Sequence, residues 1–448
     1  MSHLDWLFSI FQQNGDRVFM IHSGNQYTYS DLITTIQLYK TQLFESGIEG
    51  GKVIALYGDY SPKNVAALLA LVDDGNIVVP LASLKDGFLE IAEVQGVCAF
   101  IDSGIQLEWT TREVRHQLNL DMISSGNPGL ILFTSGSTGK CKASLHDFSQ
   151  VLEKFKISRR QLVTSAFLSF DHMGGINTLF GVLSNAGTLV ISKNRNPEII
   201  CSDIEKYKIE LLPTSPTFLN LLLASDAFER YDLSSLRFIS YGSEMMPQVT
   251  LSRIAELFPD VKLIQTYGLS ELGVLRSKSE NSNSLWVKIG GEGFQTKVDE
   301  KGILYIKARS AMKGYFNAPS PFDADGWMNT GDRVELRGEY LRFLGRTTEI
   351  INVGGQKVYP IEVENVLLSI PNVKDVTVFS QPHFLVGNIV VARFNLIDVE
   401  DFATFKTRVR EYCKTRLEKF KIPTRIELVD GDQFNSRYKK IRSKEIPK

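Results

Sequence analysis

The stretch Thr134-Ser-Gly-Ser-Thr-Gly-Lys-Cys-Lys142 follows directly on the apolar run Leu130-Ile-Leu-Phe133. Such a short apolar run, bounded by turn formers, reads as a buried strand. Two glycines, four hydroxyl side chains and two lysines then fall within nine residues. Glycine lets backbone N–H groups approach an anion, hydroxyls add donors, and lysine adds positive charge. That is the chemistry of a phosphate cradle. The P-loop pattern G-x-x-x-x-G-K-[ST] is not met, because Thr134 stands at its first glycine and Cys141 follows Lys140. Composition alone would also allow a surface Gly/Ser linker, so the rest of the chain decides.

Outward from this turn, strand and helix patterns alternate. Val53–Tyr57, a helix over Ser61–Leu71 and Ile77–Pro80 form a strand–helix–strand unit before it. A helix is expected over 27–47, with another over Lys85–Glu93 and a strand at Ala99–Asp102, whereas 103–128 is polar and carries little pattern. After the turn come a helix from Asp147, a buried helix Ile176–Leu183 and strands at Gly187–Ile191, Glu210–Pro213, Leu236–Ser240 and Val261–Ile264. Alternation of this kind indicates α/β layers with parallel strands, whose ligands gather at the carboxyl ends. From about residue 285 short β segments take over, and a further hundred residues mix helix and strand. The expected fold is α/β. A large N-terminal domain (1–345) of layered α/β subdomains carries a small β-rich subdomain, and a mobile α+β C-terminal domain (346–448) follows.

Composition is that of a globular protein: 448 residues, 43% hydrophobic, 23% charged, net charge -1. This balance argues against a general nucleic-acid binder, and no apolar run reaches membrane-spanning length. The four cysteines are far apart, so neither a disulfide framework nor a zinc site is expected, and a cytoplasmic setting fits. Residues 401–448 hold 14 Lys or Arg against 7 Asp or Glu, which suits either a solvated helix face or a basic surface for a phosphorylated partner.

Eight motifs occur in order: TSGSTGKCK (134–142), SFDHMGG (169–175), YGSE (241–244), QTYGLSE (265–271), NTGD (329–332), LGRTTEIINVGGQKVYPIEVE (344–364), LEKFKIP (417–423) and YKKIR (438–442). In content and spacing the chain resembles the adenylate-forming superfamily: acyl-CoA synthetases, peptide-synthetase adenylation domains and luciferases. The resemblance covers nearly the whole chain. It implies an acid–thiol ligase in which a carboxylate attacks the α-phosphate of Mg²⁺·ATP, releasing pyrophosphate. A thiol, from coenzyme A or a carrier protein's phosphopantetheine acting in trans, then takes the acyl group.

By this resemblance Thr134, Ser135, Gly136, Ser137, Thr138 and Gly139 wrap the phosphates, with Lys142 beside them. Cys141 departs from the proline common at its position. Tyr267 and Gly268 sit under adenine, Gly242, Ser243 and Glu244 cover its other side, Ser270 meets the α-phosphate and Glu271 binds Mg²⁺. Asp332 and Arg346 hold the ribose. Glu349 lies at the hinge, and Gly354 and Gly355 line the path of the thiol. The catalytic lysine belongs to YKKIR. Lys440, which precedes the isoleucine, is the choice over Lys439, although the family's glycine is absent.

SFDHMGG reads in two registers. Phe170-Asp171 superficially offers the pair that binds an amino acid's ammonium. Counting back from the following helix instead puts His172 at the aromatic gate and Met173 at the ammonium site, which disfavours amino acids and favours an uncharged tail. The acyl slot is then expected from His172, Met173, Gly174, Asn177, Tyr241, Gly242 and Gly273. An amino-acid-adenylating enzyme and a non-catalytic acyl-adenylate binder are the competing functions.

Overall fold

The computed structural model describes residues 2–83, 87–101, 104–135 and 141–442. Among these, the αβ alternation builds two seven-stranded sheets. The first runs, in spatial order, Gly314–Tyr315, Cys141–Asp147, Gly129–Ser135, Ile77–Leu81, Val53–Tyr57, Gly96–Ile101 and Gly104–Trp109. Its middle strands are parallel and both margins antiparallel. The second runs Lys262–Gln265, Phe238–Tyr241, Leu211–Thr214, Val163–Ser165, Thr188–Ile191, Val18–His22 and Asn25–Thr28, parallel except for the terminal hairpin.

Helices Pro62–Asp73 and Met173–Leu183 join the sheets. Leu68, Leu71, Ile176 and Phe180 share one core with Ile54 and Leu130 of the first sheet and Met20 and Leu189 of the second. Pro62–Asp73 is buried without a break from Asn64 onward. A helix apolar on every side has neighbours on every side, which is why this segment shows no polar stripe. Its start is written locally: Ser61 Oγ accepts from the Asn64 N–H at 3.0 Å, and Pro62 occupies the first turn.

The expected β-rich subdomain is a six-stranded sheet, in the order Arg276–Ser279, Val287–Gly290, Tyr340–Arg346, Met328–Arg337, Ile303–Ala308 and Phe294–Val298. Beyond it, residues 351–428 form a five-stranded sheet with its own core of Val363, Val376, Phe394 and Phe405. Much of the basic tail is neutralised within this unit: Arg408 pairs with Glu400, Lys421 with Glu362 and Arg442 with Glu364.

The stretch 103–128 departs from expectation. Gly104–Trp109 is an edge strand paired with Gly96–Ile101, and Gln117–Ser125 is a helix closed by Gly126 at φ +69°. An edge strand buries little of either face, so its residues need no apolar run to hold their place. Cys141–Asp147 is also a strand, not expected from the sequence, and it pairs antiparallel with Gly129–Ser135. The helix expected over Lys85–Glu93 is found at Phe88–Ile91.

Candidate active site

One cavity of about 860 Å³ runs along the second sheet. Its floor is Leu211 and Pro213, then Phe238, Ser240 and Gly242, then Lys262, Ile264 and Thr266. Every second residue of three parallel strands faces the same way, as the pleat requires. Opposite them the helix Met173–Leu183 contributes Met173, Asn177 and Gly181, four residues apart on one face. Gly242 closes the floor at the carboxyl end of its strand. A Cβ there would lie 2.3 Å from Thr266 Oγ1 and 2.7 Å from the Thr266 carbonyl oxygen, so only glycine fits.

At that end the walls are Thr134, Lys142, Gly242, Ser243, Gly268, Ser270, Glu271 and Arg346, all expected from the sequence. Lys142 Nζ lies 5.0 Å over the Tyr315 ring, and the Tyr315 hydroxyl donates to Glu271 Oε1. Burial first, and then the Glu271 carboxylate, hold the Tyr315 phenol above its ordinary pKa, so it stays a donor. Tyr315 had no motif to mark it; strand pairing with Ser144 brings it here. Gly136, Ser137, Thr138 and Gly139 lie outside the described residues, as does the side chain of Ser135.

Asp332 and Arg346 face each other across two antiparallel strands, with Arg346 Nε donating to Asp332 Oδ1 at 3.0 Å. The Tyr267 hydroxyl donates to Asp332 Oδ2 at 2.7 Å. Its ring is stacked on Phe343 at 4.6 Å and is not part of the cavity wall. Tyr267 thus orients the Asp332 carboxylate through its hydroxyl. Glu244 also turns inward: it accepts from Thr217 Oγ1 at 2.6 Å and from the Lys440 N–H at 2.5 Å, leaving Gly242 and Ser243 at the wall.

His172, Met173, Gly174 and Asn177 line the cavity, whereas Phe170 and Asp171 do not. Phe170 is fully buried, and Asp171 faces Arg437 at 3.5 Å. Of the two registers, it is the residues of the one beginning at His172 that lie on the cavity wall. His172 caps the helix, its Nδ1 accepting from the Gly174 N–H at 3.1 Å, so the neutral ring carries its proton on Nε2. Burial, then Lys439 and Arg437, hold it well below the usual histidine pKa. Tyr241 is buried behind the floor, and Gly273 opens the short strand Gly273–Val274 at φ +82°; neither lines the cavity as expected.

The two lysines of YKKIR part company. Lys440 Nζ faces Asp375 at 3.0 Å and donates to the Val376 carbonyl, inside the C-terminal unit. Burial would lower its pKa, but Asp375 and Glu364 outweigh that and hold it raised. The choice of Lys440 is therefore corrected: its charge is spent on a buried pair, and Lys439 lines the cavity. Lys439 lies lowered in pKa through burial, with Glu244 opposing and Arg437 and Arg346 reinforcing the shift. The missed signal is backbone conformation. Tyr438 has φ +53°, so it, not Lys439, occupies the left-handed position at which the family carries glycine. Tyr438 is fixed there by its hydroxyl on the Arg195 carbonyl (2.6 Å) and by Ser215 Oγ on its own carbonyl (2.9 Å).

Gly354 and Gly355 form an exposed hairpin tip at φ +56° and +87°, away from the cavity. Glu349 receives the Arg442 Nε at 3.2 Å. Lys154, Arg159 and Arg276, unmarked by any motif, also line the cavity, beside the slot for which an uncharged tail was expected.

The family described as AMP-binding enzyme matches residues 8–316, and its C-terminal domain matches residues 362–436. The chain belongs to the AMP-binding enzyme family. Like its relatives, this AMP-binding enzyme is an ATP-dependent, AMP-forming acid–thiol ligase. It is 25% identical to the indoleacetate–CoA ligase of Aromatoleum aromaticum, over 90% of this chain and 89% of that one. It is also 25% identical to the 2-succinylbenzoate–CoA ligase of Bacillus subtilis, over 98% and 96%. The fold matches that of an anthranilate CoA ligase in complex with anthranoyl-AMP, with TM-score 0.80 and 18% identity over 98% and 95% of the two chains. Among the described residues no helix is long and apolar enough to cross a membrane.

Proposed function

We propose that the acid is activated at the junction of the two ends of this cavity and that Lys439 stands between it and the nucleotide. One observation carries the assignment: Lys439 shares a cavity with Thr134, Lys142, Glu271 and Arg346, and its ammonium has no ion-pair partner among the described residues. A carboxylate oxygen of the acid attacks the α-phosphorus, and the bond to the bridging oxygen breaks, freeing pyrophosphate. Both reactants are anionic, so an ammonium between them offsets their repulsion and the charge developing in the transition state. Thr134 and Lys142, with loop residues 135–139, bind the outer phosphates. Asp332 and Arg346 hold the ribose, Gly242 and Ser243 flank adenine, and Ser270 donates near the α-phosphate.

Glu271 presents a single carboxylate with one oxygen engaged by Tyr315. That fits Mg²⁺, which takes one or two carboxylates and fills its shell with phosphate and water. When bound, it would offset phosphate charge. His172 and Gly174 frame the acid's entrance. The swing of the C-terminal unit about Glu349 and the passage of the thiol past Gly354 and Gly355 belong to the same proposal.

Coenzyme A is the acceptor favoured by the names of the relatives, over a carrier-protein phosphopantetheine. Its sulfur attacks the acyl carbonyl, AMP departs and the thiol proton passes to solvent. The test is pyrophosphate release over a panel of carboxylic acids, with thioester and AMP identified by mass spectrometry in the presence of coenzyme A or a loaded carrier. Acid-independent behaviour across the panel, or thioester without AMP, would sink the proposal.

A further inference from the structure

Lys154 enters the acyl slot from the short turn Glu153–Phe155 and is held by two neutral acceptors: Asn177 Oδ1 at 2.5 Å and the Val274 carbonyl at 2.9 Å. An ammonium has three N–H donors, so one is left for the cavity. Arg159 and Arg276, both exposed to solvent, line the same cavity, as do Arg160 and Lys262. Among the described residues no carboxylate pairs with Lys154, Arg159 or Arg276. Burial, with Arg159 and Arg276 adding to it, brings Lys154 down to a pKa of about 7.

Cations gathered along one slot repel one another, and desolvation of the Lys154 ammonium adds to the cost. A folded protein normally answers such a cluster with carboxylates of its own. Here the cluster faces the open cavity instead. Perturbed charge facing a cavity marks a binding function more often than a structural one.

We propose that the acid activated by this enzyme carries a second carboxylate, which docks against Lys154 with Arg159 and Arg276 supporting it. The spacing is set by the helix. Met173 stands beside the gate, and Asn177, the partner of Lys154, lies one turn deeper, about 6 Å along the axis. Adipate and a carboxyphenylpropanoate are diacids that place a second carboxylate beyond the reacting one, and they serve as probes of that deeper position. An ammonium-bearing tail is repelled by the same cluster, in line with the exclusion of amino acids read from Met173.

This inference rests on the proposed function, and the experiment separates the two. Pyrophosphate release is measured for matched pairs (adipate against hexanoate and monomethyl adipate, carboxyphenylpropanoate against phenylpropanoate) with wild type, Lys154→Met and Lys154→Arg. The wild type is expected to favour diacids by on the order of 100-fold in kcat/KM, the scale of losing one partner of a buried charge pair. In Lys154→Met the ratio falls to about one or below, and Lys154→Arg restores part of it. Equal use of monoacid and diacid by the wild type, or an unchanged ratio in Lys154→Met, overturns the inference while leaving acid activation intact. If no acid releases pyrophosphate, the proposed function fails instead. Calorimetry with adipate alone then decides the docking site: binding to wild type lost in Lys154→Met supports it, and no binding to wild type overturns it.

Discussion

The two adjacent lysines of YKKIR offer a sharp contrast, because neighbours in sequence are assigned opposite duties. Lys440 and Asp375 are buried together, their side chains 8% and 4% exposed, so their attraction is little screened by solvent. Lys440→Ala leaves Asp375 buried without its partner, which costs about 3–5 kcal/mol. For a unit of about 100 residues, each kcal/mol lowers the melting temperature by roughly 4–8 °C. Lys440→Ala is therefore expected to melt its C-terminal unit many degrees early and still to release pyrophosphate below that transition. Lys439→Ala removes an unpaired ammonium, so stability holds or rises, while an electrostatic stabiliser of the transition state is lost. Single groups of that kind carry about 10²–10³ in kcat. Differential scanning calorimetry and initial-rate pyrophosphate release, run on both variants at a temperature where each is folded, separate the two effects. A folded Lys440→Ala without turnover, beside a Lys439→Ala of normal rate, would refute the reasoning.

Three further outcomes follow from the same geometry. Lys154 titrates near 7 in the folded chain against the ordinary 10.5, so between those values the unfolded chain binds the extra proton and stability rises with pH. The slope should exceed that of Lys154→Met by up to about 1.4 kcal/mol per pH unit, read from denaturant midpoints; parallel profiles would contradict the shift. His172 is held neutral, so the rate should show no ascending limb from it between pH 6 and 8. Its capping role predicts that His172→Ala loses about 1 kcal/mol that His172→Asn keeps, with acid KM raised in both. At Gly175 a Cβ would sit 1.9 Å from the Ser169 carbonyl oxygen, so Gly175→Ala should cost about 1–3 kcal/mol or more and shift the His172 turn, measured as a lower melting temperature with weaker acid binding.

What the sequence determined by itself was whatever depends on local chemistry. Ser61-Pro62 announces a helix start because cap and first-turn preferences operate within four residues. Gly242, Glu271 and Arg346 were legible because each sits in a dense motif with distinctive chemistry. The amino-terminal hairpin, turned at Ser23 and Gly24 (φ +52° and +81°), and the edge strand Gly104–Trp109 were not, since short or half-exposed strands leave little periodicity. What only the tertiary structure decided was direction. Tyr267 follows Asp332 instead of the cavity, Glu244 follows Thr217, and Lys440 follows Asp375, each toward a partner between 27 and 65 residues away in sequence. Lys154, Arg159 and Arg276 likewise share one slot although more than a hundred residues separate the last from the others. Charge placement is a long-range property: a motif fixes which groups are present, and the packed chain fixes what each of them faces.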